Sequence, residues 1–142
     1  MLLLAVHLAA TAAMGGLIWF VQIVHYPLFD RADRTDFPAF ERDHQLRPAF
    51  VVGPLLGLEA LTGLLLLAVP PDGLGRALPI AGLALLGIIH LSTISLQVPA
   101  HERLARGHDP QTTRRLVTTN WIRTVGWSAR TVLAAAMIIA VT

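Results

Sequence analysis

The chain has no cysteine and no lysine. The first absence excludes disulfides and thiolate metal sites. The second leaves arginine as the source of all eleven basic charges. Charge of either sign is scarce: 14% of the 142 residues are charged, against about a quarter in a soluble domain. Nine acids leave a net charge of only +2, too small a field for a nucleic-acid surface, and no nucleic-acid partner is expected. The sequence also lacks a phosphate-binding Walker loop, a dinucleotide-binding glycine fingerprint and a Ser-His-Asp arrangement. No internal repeat and no low-complexity linker interrupts it. What remains is apolar: 54% of the residues are hydrophobic and the mean hydropathy is +0.61.

The apolar residues fall into four segments, at about 2–24, 50–69, 78–98 and 121–141. Each is near the roughly 20 residues that cross a hydrocarbon core. The first lacks a positive leading region and a good cleavage site, and reads as a retained helix. The expected architecture is all-α: a transmembrane four-helix bundle forming one domain, 1–142, in the cell inner (plasma) membrane. The connection "PPDGLGRALP" (70–79) is short and carries one arginine, Arg76. The two long connections carry eight: Arg31, Arg34, Arg42, Arg47, Arg103, Arg106, Arg114 and Arg115. That bias predicts cytoplasmic long loops and both termini outside.

The long connections carry helix signals of their own. In "TDFPAFERDHQLRP", Asp36 or Thr35 can cap a helix with Pro38 in its first turn, and Pro48 marks its end. Phe37, Phe40 and His44 share one face, so a short interfacial helix (37–47) is expected between the first two spans. Gly107 ends the third helix after a Pro99 kink. "HDP" restarts the chain as a helix, with Asp109 as cap and Pro110 in the first turn, running into the fourth span.

Polar residues inside the spans keep to one stripe per helix. Asn120, Arg123, Trp127 and Arg130 are spaced three, four and three; His90, Thr93, Gln97 and His101 three, four and four. His7, Thr11, Gln22 and His25 fit a stripe on the first helix, and Glu59 stands almost alone on the second. Such stripes face a shared bundle interior. Depth pairs Glu59 with Arg130 near the midplane, as a charge partner that is either structural or functional. His7 lies roughly 27 Å along the helix from His25 and reads as a bystander; His108 reads as a solvated loop residue. His25, His44, His90 and His101 approach one end of the bundle and are the candidate metal ligands or proton carriers. Imidazoles with a carboxylate suit iron, copper or zinc, with iron or copper expected, and haem on histidine is an alternative. "ERDH" (41–44) has the Glu-x-x-His spacing of di-iron helices, but the spans hold too few acids for a carboxylate-rich centre.

"NWIRTVGWSAR", following "VPAHERLARG", resembles the terminal region of small four-helix membrane proteins related to fungal anthrone oxygenases, with Asn120, Arg123 and Thr124 at the matching pattern. "WFVQIVHYPLF" and "NWIRT" are similar to patches in uncharacterised bacterial membrane proteins. The first resemblance implies oxidation of an aromatic polyketide to a quinone with dioxygen; the second implies a fold and no substrate. Bacterial four-helix protoporphyrinogen oxidases are similar in size, but their motifs do not match. The expected function is a membrane oxidoreductase or monooxygenase acting on a lipophilic small molecule. Glu59, Arg123 and Arg130 would be catalytic or charge-balancing. Gln22, Gln97, Asn120, Trp121 and Trp127 would bind substrate. The alternative is a non-enzymatic binding or transport protein, or an accessory subunit, that holds haem, quinone or an anion. A thin bundle in a lipid bilayer also leaves surface for a homo-oligomer or a larger membrane complex.

Overall fold

A computed structural model describes all residues 1–142. The chain is entirely helical: α1 (Leu2–Phe20), α2 (Phe37–Ala68), α3 (Ala77–Ser92), α4 (Val98–Leu104) and α5 (Pro110–Ile139). A π turn (Val21–His25) and a 3-10 turn (Tyr26–Arg31) extend α1, and a second π turn (Thr93–Gln97) joins α3 to α4 without a break. The result is a bundle of four long helical stretches, Leu2–Arg31, Phe37–Ala68, Ala77–Leu104 and Pro110–Ile139, each long and apolar enough to cross a membrane. At about 1.5 Å per residue, a stretch near 30 residues outruns the roughly 30 Å hydrocarbon core. Both ends of the bundle therefore project beyond the apolar layer.

The outside of the bundle is apolar and the inside is mixed. Leu58, Leu61, Leu64, Ile88, Leu91, Val125 and Val132 are exposed, as suits side chains facing lipid. Three apolar layers fill the interior. Leu4, Leu66, Leu74 and Met137 pack at the short-loop end. Met14, Ile18, Leu86, Ile89 and Trp127 pack in the middle. Tyr26, Phe29, Phe37, Ala100, Leu104 and Leu116 pack at the long-loop end. Close approach depends on glycine where helices cross. A Cβ on Gly126 would meet Ile89 Cγ1 at 2.7 Å, so a larger residue would force either the Ile89 side chain or the α3–α5 spacing to shift.

The helix after the first long loop begins where its sequence signals put it but does not stop at Pro48. Residues 37–47 form the first three turns of α2, which runs through Pro48 and Pro54 to Ala68. A proline inside a helix removes one backbone donor and crowds the carbonyl four residues back, which kinks a helix more readily than it ends one when neighbours hold both sides. Asp36 stands at the N-cap position without a side-chain cap bond. Asp109 caps α5 fully, accepting from the amides of Gln111 and Thr112. The Thr112 hydroxyl also donates to this carboxylate and, with those amides, holds its pKa below the ordinary range. Gly107, at φ +151°, turns the chain between α4 and α5.

Candidate functional site

Two prolines shape the site. Each π turn ends two residues before one: Val21–His25 before Pro27, and Thr93–Gln97 before Pro99. The proline lacks the N–H that would bond four residues back, and a widened turn absorbs the misfit. These turns carry Gln22 and His25 on one side and Thr93 and Gln97 on the other. The first two turns of α2 then bring Glu41 and His44 across from α4, which presents His101.

Side chains meet at short range. His25 Nε2 and His44 Nδ1 are 2.7 Å apart. His101 Nδ1–H donates to Glu41 Oε1 at 2.6 Å. A neutral imidazole with its proton on Nδ1 has Nε2 free to accept, and the Tyr26 hydroxyl sits 3.0 Å from it. Gln45, one turn after Glu41, donates to the same carboxylate oxygen at 3.2 Å. Glu41 is fully buried, and its other oxygen, Oε2, has no partner. One potential ligand atom each from Glu41, His44 and His101 lies within 4.8 Å of the others. An imidazole pair with an incompletely satisfied carboxylate is a donor set that suits a first-row transition metal. The rings are held by aromatic contacts: His44 meets Phe29 edge-on at 4.9 Å, and Phe29 in turn meets Phe37 and Phe40.

Beneath the cluster opens a cavity of about 560 Å³. His25, Tyr26, His44 and His101 form its polar edge; Arg123 and Gln97 also line it, among apolar residues such as Leu17, Ile18 and Val52. Its size and mostly apolar wall fit a small lipophilic molecule. Arg123 is held by Asn120, which accepts from its guanidinium at 3.2 Å. Asn120 donates to Gln22 at 2.9 Å, and Gln22 donates to the Val117 carbonyl at 3.1 Å. Gln97 donates to Thr119 at 3.1 Å. Nε of Arg123 is buried without a partner, so the guanidinium has a donor to spare.

The structure thus gathers His25, His44 and His101 and brings Arg123 and Gln97 to the same cavity. It does not gather the rest. His90 lies one turn farther toward the short-loop end than Thr93, where the α3 wall of the cavity ends, and its Nδ1 is turned back onto the Leu86 carbonyl at 2.8 Å. It belongs to no ligand group. Trp127 is buried under Arg130, its ring centroid 5.7 Å from the guanidinium carbon. Trp121 is 42% exposed and packs edge-on against Trp19. Neither tryptophan lines the cavity, and Gln22 and Asn120 support Arg123 from behind its wall. Helical spacing fixes a face but not a depth, and these residues share a face with the site without sharing its level.

Glu59 and Arg130 form a second, separate polar centre. Both are buried and salt-bridged, and Arg130 also donates to the Gly82 carbonyl. Thr11 donates to Glu59 at 3.4 Å. His7 lies apart from the histidine cluster: it is buried, with Nδ1 2.8 Å from the Thr62 hydroxyl. His108 is not solvated either. Its side chain is 2% exposed, Nε2–H donates to Asp30, Arg34 donates to Nδ1, and Phe37 meets its ring edge-on.

Two members of the site were missed as site residues. Glu41 is the first residue of the Glu-x-x-His spacing, but it stands outside the four expected spans. Tyr26, the single tyrosine, gave no signal beyond being next to His25. No family model, no curated protein and no solved structure matches this chain. The class is that of an all-helical, membrane-embedded four-helix bundle.

Proposed function

We propose that this protein is a membrane-embedded oxidoreductase of monooxygenase type, acting on a lipophilic aromatic or quinone-like molecule in the cavity beside a transition metal. Glu41, His44 and His101 would hold the metal, iron or copper, and His25 would add a third nitrogen next to them. One observation carries this reading: a buried carboxylate with an unpartnered oxygen lies among imidazoles at the edge of an apolar cavity. A bound metal would supply the electron-transfer chemistry. The chain supplies the rest. Apolar walls exclude water from the substrate. Arg123, which lines the cavity, offers its guanidinium charge to a phenolate, carboxylate or quinone oxygen. Without a metal, Tyr26, His101 and Glu41 form a phenol–imidazole–carboxylate line; a metal on His101 would displace one of these two bonds. The resemblance to anthrone oxygenase-like proteins agrees with an aromatic substrate.

A second reading has its own observation. The imidazoles and Glu41 satisfy one another at 2.6 and 2.7 Å, as a metal-free hydrogen-bonded cluster would. In that case the protein binds or moves a haem, quinone or anion, as an independent protein or as a subunit. Elemental analysis and an optical spectrum of the detergent-purified chain separate the two. Near-stoichiometric iron or copper, lost in Glu41→Gln, supports the oxidoreductase. A Soret band identifies haem. No metal after loading with either ion replaces the enzyme with the binding protein. The arginine distribution orients the site toward the cytoplasm of a plasma membrane, with the termini outside; a terminal tag accessible only from the cytoplasm overturns that orientation.

A further inference from the structure

A second pocket, of about 310 Å³, lies apart from the histidine site where the α3–α4 π turn and α4 meet the start of α5. Arg103 and Arg106 enter it from α4 and the turn beyond, and Arg115 from α5. None of the three is neutralised by a salt bridge: the four in the structure involve Arg47, His101, His108 and Arg130. Glu102 also lines the pocket, leaving three positive charges against one negative, and Asp109 lies near enough to Arg103 to feel its charge. Ser95 adds a hydroxyl to the polar wall, while the Thr112 hydroxyl is committed to Asp109. Converging guanidiniums with a nearby hydroxyl are the donors a phosphate group takes.

The surroundings decide what carries the phosphate. On α5, Arg115, Thr118, Ile122 and Val125 follow one another at spacings of three, four and three, so the basic end runs into an apolar face. Ile122 and Val125 are 45% and 63% exposed there, and Ile94, beside Ser95, is 66% exposed. A free phosphate ion has no use for such a flank. A lipid has: its head lies among the arginines and its acyl chains follow the apolar side chains toward the bilayer core. The excess of two positive charges favours an anionic head and repels the ammonium of a choline head. We propose that this pocket binds the headgroup of an anionic phospholipid, its phosphate on Arg103, Arg106 and Arg115, and its chains along Ile94, Ile122 and Val125.

The test uses the full chain extracted from bilayers holding equal phosphatidylglycerol and phosphatidylcholine, with the retained lipid read by native mass spectrometry. Phosphatidylglycerol should be retained in preference. Each arginine near an anionic surface contributes on the order of a fivefold effect, so Arg115→Gln should lower retention by about that factor. The triple variant Arg103→Gln/Arg106→Gln/Arg115→Gln should abolish the preference. Arg31→Gln, an exposed arginine of the other long loop, should change nothing. If the triple variant does not fold, Arg115→Gln alone decides. Titration with inorganic phosphate should show no binding in the millimolar range. Equal retention of the two lipids, or an equal loss in Arg31→Gln, overturns the proposal. So does inorganic phosphate binding through the same arginines, which would make the pocket a free-anion site.

Discussion

The bundle contains two buried carboxylates with basic partners, and they are built for opposite ends. Glu59 meets Arg130 in the middle of the bundle; Glu41 meets His101 near its long-loop end. Both glutamates are fully buried, and each has one oxygen without a partner. The histidine-site cavity does not reach Glu59: Arg130 lies over Trp127 and donates to the Gly82 carbonyl, and Thr11 donates to Glu59. Around Glu41 three imidazoles and a phenol converge, and a cavity opens beside them. An ion pair of fixed partners away from that cavity can set helix register but does not meet a ligand held there. An imidazole cluster at a cavity edge can exchange protons, bind an ion and meet a substrate. Burial and charge alone do not separate the two centres; access does.

The sharpest way to break this comparison is to remove one charge from each centre. Glu59→Gln or Arg130→Gln leaves its partner charged and buried, and should destabilise the fold by about 3–5 kcal/mol. Combining the two should recover part of the loss, measured as a coupling in a double-mutant cycle of unfolding in detergent. Metal content per folded chain should stay unchanged in all three variants. Additive effects would show that the two residues do not act as a pair. Glu41→Gln should do the reverse. It removes one ligand and keeps the hydrogen-bonding shape, so it should cost no more than about 1–3 kcal/mol of stability, while metal retention in dialysis should fall by an order of magnitude or more.

How far these centres were legible in the sequence follows from the same contrast. Four spans, the Asp109 cap and the long α5 follow from hydrophobic runs and cap chemistry, which are local. The pairing of Glu59 with Arg130 follows from depth counted along regular helices, and it is present. His90 shows where counting fails: it shares a stripe with Gln97 and His101, yet it sits below the cavity and bonds within its own helix. The site is assembled by two π turns, where the period of 3.6 no longer applies; of the prolines that mark them, only Pro99 carries a signal in the sequence, as a kink. Glu41 lies outside the expected spans, in the interfacial helix that Pro48 is expected to end. In a continuous α2 the same residue points inward and is fully buried.

A smaller effect sharpens the role of Tyr26. Its hydroxyl meets His101 on the nitrogen opposite Glu41. Both ring nitrogens of His101 are thus taken, so a metal on Nε2 must displace the hydroxyl. Tyr26→Phe keeps the buried ring and removes only the hydroxyl. It should leave thermal stability within about 1 kcal/mol and raise metal affinity, by up to about tenfold for one hydrogen bond that no longer has to be broken, as measured by competition with a chelator. Unchanged affinity would show that the metal does not take Nε2 of His101.

The smallest expected effect lies outside both centres, at the cap of α5, and it separates stability of the scaffold from chemistry of the site. Asp109 accepts from the amides of Gln111 and Thr112, and the Thr112 hydroxyl bonds the same carboxylate. The hydroxyl first, then the amides, holds the folded-state pKa below the ordinary carboxylate range. A lowered pKa means that the ionised form is the one the fold favours. Its stabilising contribution is therefore fully present above the unfolded value, about 3.9 for an aspartate, and is lost as pH falls through the lower folded value. Asp109→Ala should lower the unfolding temperature by a few degrees at neutral pH and leave metal content untouched. The gap between wild type and variant should hold constant down to about pH 5 and close on further acidification, because both chains then lack an ionised cap. A gap that instead closes between about pH 7 and 6, the range in which histidines titrate, would tie the start of α5 to the imidazole cluster and remove the distinction between scaffold and site at this end of the bundle.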